Sequence, residues 1–174
     1  ELSVSDRNNI GYQYTDCPLY WISVIYLNFA EAKAEMGSLT QDDLNNSINK
    51  LQARAGLPAM TTTPDADPAN NMGVSNLIWE IRRCRRCELI MDNWYRYWDL
   101  IRWHQLDKLD STKYPNTMLG ANVSNVPDCE EATKNGYIDA SDAQIRTYEA
   151  KHYFYPIPTT QLTLNKNMKQ NPGW

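Results

Sequence analysis

The stretch Leu19-Tyr20-Trp21-Ile22-Ser23-Val24-Ile25-Tyr26-Leu27-Asn28-Phe29-Ala30-Glu31-Ala32-Lys33-Ala34-Glu35-Met36-Gly37 decides the fold, together with Thr15-Asp16-Cys17-Pro18 ahead of it. A Thr or Asp just before Pro marks a helix start, because Pro suits the first helical turn, where its missing N–H costs nothing. Leu19, Ile22, Ile25, Tyr26, Phe29, Ala30 and Lys33 recur at three and four, the spacing of one helix face, and Gly37 ends the helix. A second helix follows at once. Thr40-Gln41-Asp42-Asp43 approximates a capping box with the shorter Asp in place of Glu. Leu44, Ile48, Leu51 and Ala55 make its apolar stripe, and Gly56-Leu57-Pro58 stops it. Helices at 19–37 and 41–55 joined by so short a link predict an antiparallel hairpin, with Leu44, Ile48 and Leu51 on Ile22, Ile25, Tyr26 and Phe29. The span from Leu19 to Gly56 is close to one tetratricopeptide period, and one hairpin alone cannot bury both of its faces. The expected fold is mainly α, made of tetratricopeptide-like helical hairpins.

Outward from the hairpin the pattern weakens. Residues 1–15 are polar and unpatterned, with an extended piece around Ile10-Gly11-Tyr12-Gln13-Tyr14. Residues 59–73 carry two Pro and no periodicity, and read as a loop. Ser75 or Asn76 caps a third helix bearing Leu77, Ile78, Ile81, Cys84 or Arg85, and Leu89. A fourth helix is expected from about Asn93 to Leu106, through Tyr97, Trp98, Ile101 and Trp103. Residues 107–150 hold turn signals at Tyr114-Pro115-Asn116, Leu119-Gly120, Val126-Pro127-Asp128 and Asn135-Gly136. They read as a long irregular insertion with short strands, of a length that usually serves function. Tyr153-Phe154-Tyr155-Pro156-Ile157-Pro158 is held extended by its prolines, and Thr159-Thr160-Gln161-Leu162 opens a short helical turn. The extended tail closes with Asn165 and Gln170-Asn171-Pro172-Gly173-Trp174.

The composition bounds the function. A chain of 174 residues suffices for one domain or two very small ones, and 42% hydrophobic with 22% charged residues fits a soluble chain with a modest core. Seventeen Lys+Arg against 21 Asp+Glu give a net charge of -4, which disfavours nucleic-acid binding. No apolar run approaches the roughly 18–20 residues of a spanning helix. Residues 1–7 lack the basic and apolar blocks of a signal peptide, so either the chain is cytoplasmic or its targeting segment lies upstream. Six Trp and 11 Tyr stand against two Phe, so nearly every aromatic carries a hydrogen-bonding tip. Such rings suit carbohydrate faces as well as hydrogen-bonded cores. Seven Gly argue against an all-β fold with many tight turns.

Three clusters invite a chemical reading. Arg82-Arg83-Cys84-Arg85-Arg86 looks basic, yet residues 75–110 balance to only +1, and Glu88 sits one turn from Arg85. Ion pairs between helices account for it better than nucleic acid does. Cys84 and Cys87 stand three residues apart on a helix, and zinc there would need two more ligands from Cys17, Cys129, His104 or His152, none in a paired spacing. No metal is expected, and the thiols read as small packing groups. Trp94-Tyr95-Arg96-Tyr97-Trp98-Asp99-Leu100-Ile101-Arg102-Trp103 reads as a sugar-stacking platform or, better at helical spacing, as inward-packed rings with a local Asp99–Arg102 pair. Paired glycosidase carboxylates, nucleophile motifs and nucleotide loops are all missing, so neither catalysis nor a cofactor is expected.

Several blocks taken together resemble the C-terminal region of the SusD/RagB family. They are Tyr26-Leu27-Asn28-Phe29-Ala30-Glu31-Ala32, Ile48-Asn49, Arg54-Ala55-Gly56-Leu57, Ile81 to Leu89, Arg96 to Trp103, Tyr155-Pro156-Ile157-Pro158, Asn165 and Gln170 to Trp174, in the family's order. Cys84 stands where the family usually has Glu, and Asp92-Asn93 replaces its usual Glu-Gly. The resemblance implies a helical, tetratricopeptide-containing lipoprotein on the surface of the Gram-negative outer membrane. It implies a protein that binds glycans, or sometimes peptides, and delivers them to a partner TonB-dependent, SusC-like transporter. It further implies that residues 1–174 form one C-terminal helical domain of a longer protein, with 107–150 as an insertion and the membrane reached only through an upstream lipid anchor. No binding residue is carried over from the family. The chemistry of the 107–150 loop singles out Tyr114, Asn116, Asn122 and Tyr137 for ligand, because a ring stacks on a pyranose and an amide both donates and accepts. The competing reading is an interaction scaffold of helical repeats with no ligand site on this segment.

Overall fold

A computed structural model describes residues 20–91, 95–126, 132–134, 136–139, 141 and 144–174. The helix start at Thr15 to Leu19, the extended piece around Ile10, the start of the fourth helix at Asn93, the Val126-Pro127-Asp128 turn, Cys17 and Cys129 lie wholly or partly outside those residues. The chain divides into two compact units, Glu1–Ile90 and Met91–Trp174.

The first unit is helical: α1 (Ile22–Glu35), α2 (Gln41–Asn45), α3 (Ile48–Arg54) and α4 (Asn76–Glu88). The local signals at the helix ends hold. Thr40 closes the capping box with Asp43, and the Ser75 side chain accepts from the Ile78 N–H. Gly37 and Gly56, at φ 66° and 69°, end α1 and α3 in the left-handed conformation that Gly adopts without steric cost. Directions follow from the cross-links. Lys33 pairs with Asp43 at 3.3 Å and Lys50 lies over the Tyr26 ring at 5.3 Å, so α1 runs antiparallel to the α2–α3 segment, as the hairpin requires. Arg82 reaches Glu31 and Glu35 while Arg85 reaches Asn28, so α4 is antiparallel to α1 too.

Two details of the hairpin differ from expectation. The second helix is broken at Asn46-Ser47, where Asn46 Nδ2 donates to the Asp42 carbonyl and Ser47 Oγ to the Asp43 carbonyl. Short polar side chains that bond the preceding turn compete with helix continuation, and Asn46 and Ser47 supply two in succession. The buried face of α1 is also not the expected one. Leu44, Ile48 and Leu51 are buried as predicted, but α1 buries Ser23, Val24, Leu27, Ala30 and Glu31. Ile22, Ile25 and Phe29 are instead 62%, 56% and 42% exposed. Helix α1 is apolar on two sides, and the inward side is the one carrying Glu31, which the guanidinium of Arg82 fixes at 3.3 Å.

The second unit begins with α5 (Tyr95–Arg102), which buries Asp99 and Leu100; Trp103 and Leu106, just beyond its end, are buried as well. The expected helix to Leu106 stops four residues early, because His104 takes φ 53° and the Gln105 N–H turns back to the Leu100 carbonyl at 2.7 Å. Asp99 and Arg102 pair at 3.2 Å as the spacing predicts, but Trp98 is half exposed rather than packed inward. Residues 107–150 carry a three-stranded antiparallel sheet in the order β1 (Leu119–Asn122), β3 (Tyr137–Asp139), β2 (Ala132–Lys134). The tail forms α6 (Thr159–Leu164) and then returns on residues 151–157. No helix among the described residues is long and apolar enough to cross a membrane.

Candidate functional site

The arginine cluster is structural. Arg54 donates to both carboxylate oxygens of Glu88 at 2.7 and 2.6 Å, Arg82 joins α4 to Glu31 and Glu35, and Arg83 pairs with Glu80. Interhelical ion pairs were expected, but Glu88 answers Arg54 on α3. Cys84 receives a weak hydrogen bond from Gln52 at 3.8 Å, at the position where the family usually has Glu. Burial, with Glu88 and Glu80 close by, pushes its thiol up to about 11, so it is protonated at neutral pH and a poor nucleophile.

Of the four loop residues proposed from sequence, the sheet pairs two. Tyr114 receives the Lys108 ammonium twice, as a hydrogen bond to its hydroxyl at 2.9 Å and as a cation over its ring at 4.5 Å. One ring face is therefore occupied. Asn116 is exposed on the 3-10 turn Pro115–Met118. Asn122, at the end of β1, accepts from the Ser124 N–H at 3.0 Å, and its Cα pairs with that of Tyr137 on β3. The sheet unites Asn122 and Tyr137. Tyr114 and Asn116 precede it.

A different part of the second unit forms a concavity of about 390 Å³. Its construction begins at Asp110, whose carboxylate accepts from Thr112 and, across 38 residues, from the Tyr148 N–H at 3.1 Å. These hydrogen bonds hold Asp110 down at about 2, Thr112 contributing most and the Tyr148 N–H next. Beside this tie, the Ser111 N–H donates to the Arg146 carbonyl and the Arg146 N–H to Ser111 Oγ, both at 2.9 Å. The segment 146–148 is thus fixed through its backbone, and Arg146, exposed to solvent, is among the residues that line the concavity. Leu106 and Leu109 form its floor of aliphatic carbon, with Thr147 and Tyr97 beside them.

The opposite wall is built by the tail. Prolines 156 and 158 deny that segment a regular ladder, so side chains supply the missing partners. Gln170 brackets Ile157, accepting from its N–H at 2.8 Å and donating to its carbonyl at 2.9 Å. Asn171 donates to the Tyr155 carbonyl, and the Trp174 indole donates to the carbonyls of Phe154 and Lys151 at 2.9 and 3.2 Å. Phe154, Tyr155 and Trp174 are thereby pinned at 58%, 69% and 46% exposure. His152 Nδ1 accepts from the Glu149 N–H, leaving Nε2 as the ring's donor. Contacting rings are tilted or edge-on, with Tyr148–His152 at 63° and His152–Trp174 at 59°, so they enclose a space and do not form a flat platform. Tyr148 and Tyr153 share a hydrogen bond, and burial above all raises the Tyr148 phenol to about 12. The sequence reading put Tyr148 in the irregular insertion, weighed His152 only as a zinc ligand and took Phe154, Tyr155 and Trp174 as tail. The only signal was the density of aromatics between 148 and 155.

Among proteins of curated function, none matches the chain. A solved structure of a SusD-like protein from Bacteroides fragilis NCTC 9343 matches with a TM-score of 0.59 and 25% identity, over 87% of this chain. The match covers 25% of that structure, so the present chain spans about a quarter of its length. The family model of the SusD family fits residues 3–174, essentially the whole chain, and its mainly helical architecture agrees with the SusD-like match. The chain belongs to the SusD family.

Proposed function

We propose that this chain is part of a cell-surface protein that binds glycans for nutrient uptake and passes them to a TonB-dependent, SusC-like transporter in the outer membrane. The observation that carries the reading is the SusD family match across residues 3–174. Polar-tipped aromatics support it, since neutral sugars bind by stacking and hydrogen bonds, which ask nothing of a chain at net charge -4. The protein is attached to the membrane by a lipid anchor outside this segment, and it binds its glycan without cleaving it. The side of α1 bearing Ile22, Ile25 and Phe29 supports a protein contact, and the transporter is its proposed partner. That same stripe is what favours the second reading, a helical interaction scaffold whose ligand site lies wholly elsewhere.

Calorimetry of the full-length protein against a panel of polysaccharides tests the function. Binding of at least one glycan without release of reducing ends is the expected result, and no binding across the panel would refute it. Tyr114, Asn116, Asn122 and Tyr137 are proposed as at most a secondary contribution. Unchanged affinity after replacing Tyr114 and Tyr137 with Ala, with folding intact, would assign the loop to structure alone.

A further inference from the structure

The concavity in the second unit has an asymmetry of charge. Among the described residues that line it, Arg146 is the one charged group, and no carboxylate is present. The nearby ammonium of Lys151 is already engaged, paired with Glu149 at 3.2 Å and set over the Trp174 ring at 5.2 Å. The Arg146 backbone is spent on Ser111, whereas its guanidinium has no ion pair among the described residues. In a chain of net charge -4, an arginine with no ion pair among the described residues, exposed at an aromatic-walled concavity, is a specific arrangement.

We infer that this concavity is a subsite for one or two sugar residues bearing an acidic group, a uronate carboxylate or a sulfate ester, which Arg146 clamps. The inference rests on the glycan-binding reading and names the class of sugar. A volume of about 390 Å³ lies at the small end of ligand sites, large enough for a short saccharide but not for a long chain. The guanidinium fork matches a carboxylate or sulfate with two parallel hydrogen bonds. An exposed ion pair alone contributes little. Here Phe154, Tyr155 and Trp174 supply apolar surface to the sugar's C–H faces and displace water from the charge pair, while His152 Nε2 and the Thr147 hydroxyl serve the ring hydroxyls. Arg146→Gln leaves the backbone ties to Ser111 in place, so the substitution removes the charge without dismantling the wall.

Calorimetry on the full-length protein with three disaccharides tests the inference: digalacturonate, a sulfated galactose disaccharide, and uncharged galactobiose. At least one acidic disaccharide is expected to bind about tenfold or more tightly than galactobiose. That advantage should shrink as salt rises and be lost in Arg146→Gln, which weakens the acidic sugars far more than galactobiose. Phe154→Ala is expected to weaken acidic and neutral sugars alike. Galactobiose binding as tightly as both acidic sugars, or an acidic preference that survives Arg146→Gln, overturns the subsite. So does a failure of all three to bind. The polysaccharide panel is read separately: binding there with no acidic preference here refutes the subsite alone, while an empty panel refutes the glycan-binding reading.

Discussion

Asn49→Ala is expected to destabilise the first unit by about 2–4 kcal/mol. Asn49 lies on α3 at 8% exposure and brackets Met60: its Oδ1 accepts from the Met60 N–H at 2.7 Å and its Nδ2 donates to the Met60 carbonyl at 3.1 Å. Met60 is itself buried at 5%. Truncation leaves the Met60 N–H without a partner in a place water does not reach, which costs roughly 1–3 kcal/mol. The carbonyl loses less, because Gln41 Nε2 also donates to it at 3.0 Å. Asn45 Oδ1 likewise keeps Gln41 Nε2 at 3.1 Å after losing Asn49 at 2.8 Å. Three lost hydrogen bonds with one orphaned donor give the stated range, a large share of the roughly 5–15 kcal/mol by which domains are stable. Asn49→Asp makes a sharper contrast. It keeps the acceptor for the Met60 N–H but turns a carboxylate oxygen toward two other oxygens, so it should be at least as damaging. Urea unfolding followed by circular dichroism reads both variants, with the midpoint falling at constant slope. A change below about 0.5 kcal/mol for Asn49→Ala, or a milder effect for Asn49→Asp, would refute the bracket as the device that holds the 59–73 loop.

Three further outcomes are expected. Arg82→Met takes a guanidinium partner from the buried Glu31 carboxylate and should cost about 3–5 kcal/mol by chemical denaturation, part of it recovered when Glu31→Leu is added. Gly173→Ala should loosen the tail by about 1–2 kcal/mol, because φ is 88° there and a Cβ would meet Lys151 Cβ at 2.9 Å; faster amide exchange at Ile157 is the readout. Asp110, Asp43 and Asp67 all sit below their ordinary 3.8, so the unfolded chain binds more protons and their stabilisation, full above that value, is lost as pH falls toward 2. Acid titrations of melting temperature should show this loss in the wild type, with a shallower acid limb in Asp110→Asn.

The helix ends were legible because their causes are local. Thr40, Ser75, Gly37 and Gly56 each act within one turn of themselves, and the structure uses every one as read. The face of α1 was not legible. A helix carrying Ile22, Ile25 and Phe29 on one side and Val24, Leu27 and Ala30 on another offers two apolar stripes, and hydrophobicity alone does not choose between them. A buried ion pair chose, through Arg82 fifty-one positions away from Glu31. The break at Asn46-Ser47 was written in two consecutive back-bonding side chains but outvoted by the apolar stripe that runs across it. The concavity was hidden for a different reason. Its walls come from α5, the turn at 106–109, the segment 146–155 and the last residue, and no window of sequence contains them together.

The helices of the first unit and the irregular segments of the second satisfy their backbones in opposite ways, and the difference bears on where ligand can bind. In the first, helices satisfy their own backbone, and side chains are free to form ion pairs that fix one helix against the next. Such a surface is stiff and continuous, suited to another protein. In the second, prolines and short strands leave N–H and C=O groups that only side chains can meet, so Asp110, Gln170, Asn171 and the Trp174 indole are committed to backbone. Committing them fixes their neighbours: Trp174 cannot donate to two carbonyls without holding its ring at the rim of the concavity. An irregular loop is thereby rigid without regular secondary structure, and it leaves the Arg146 guanidinium and the faces of Phe154 and Tyr155 uncommitted. Side chains left over from the structural task, on a backbone that cannot move away, are what a ligand finds available.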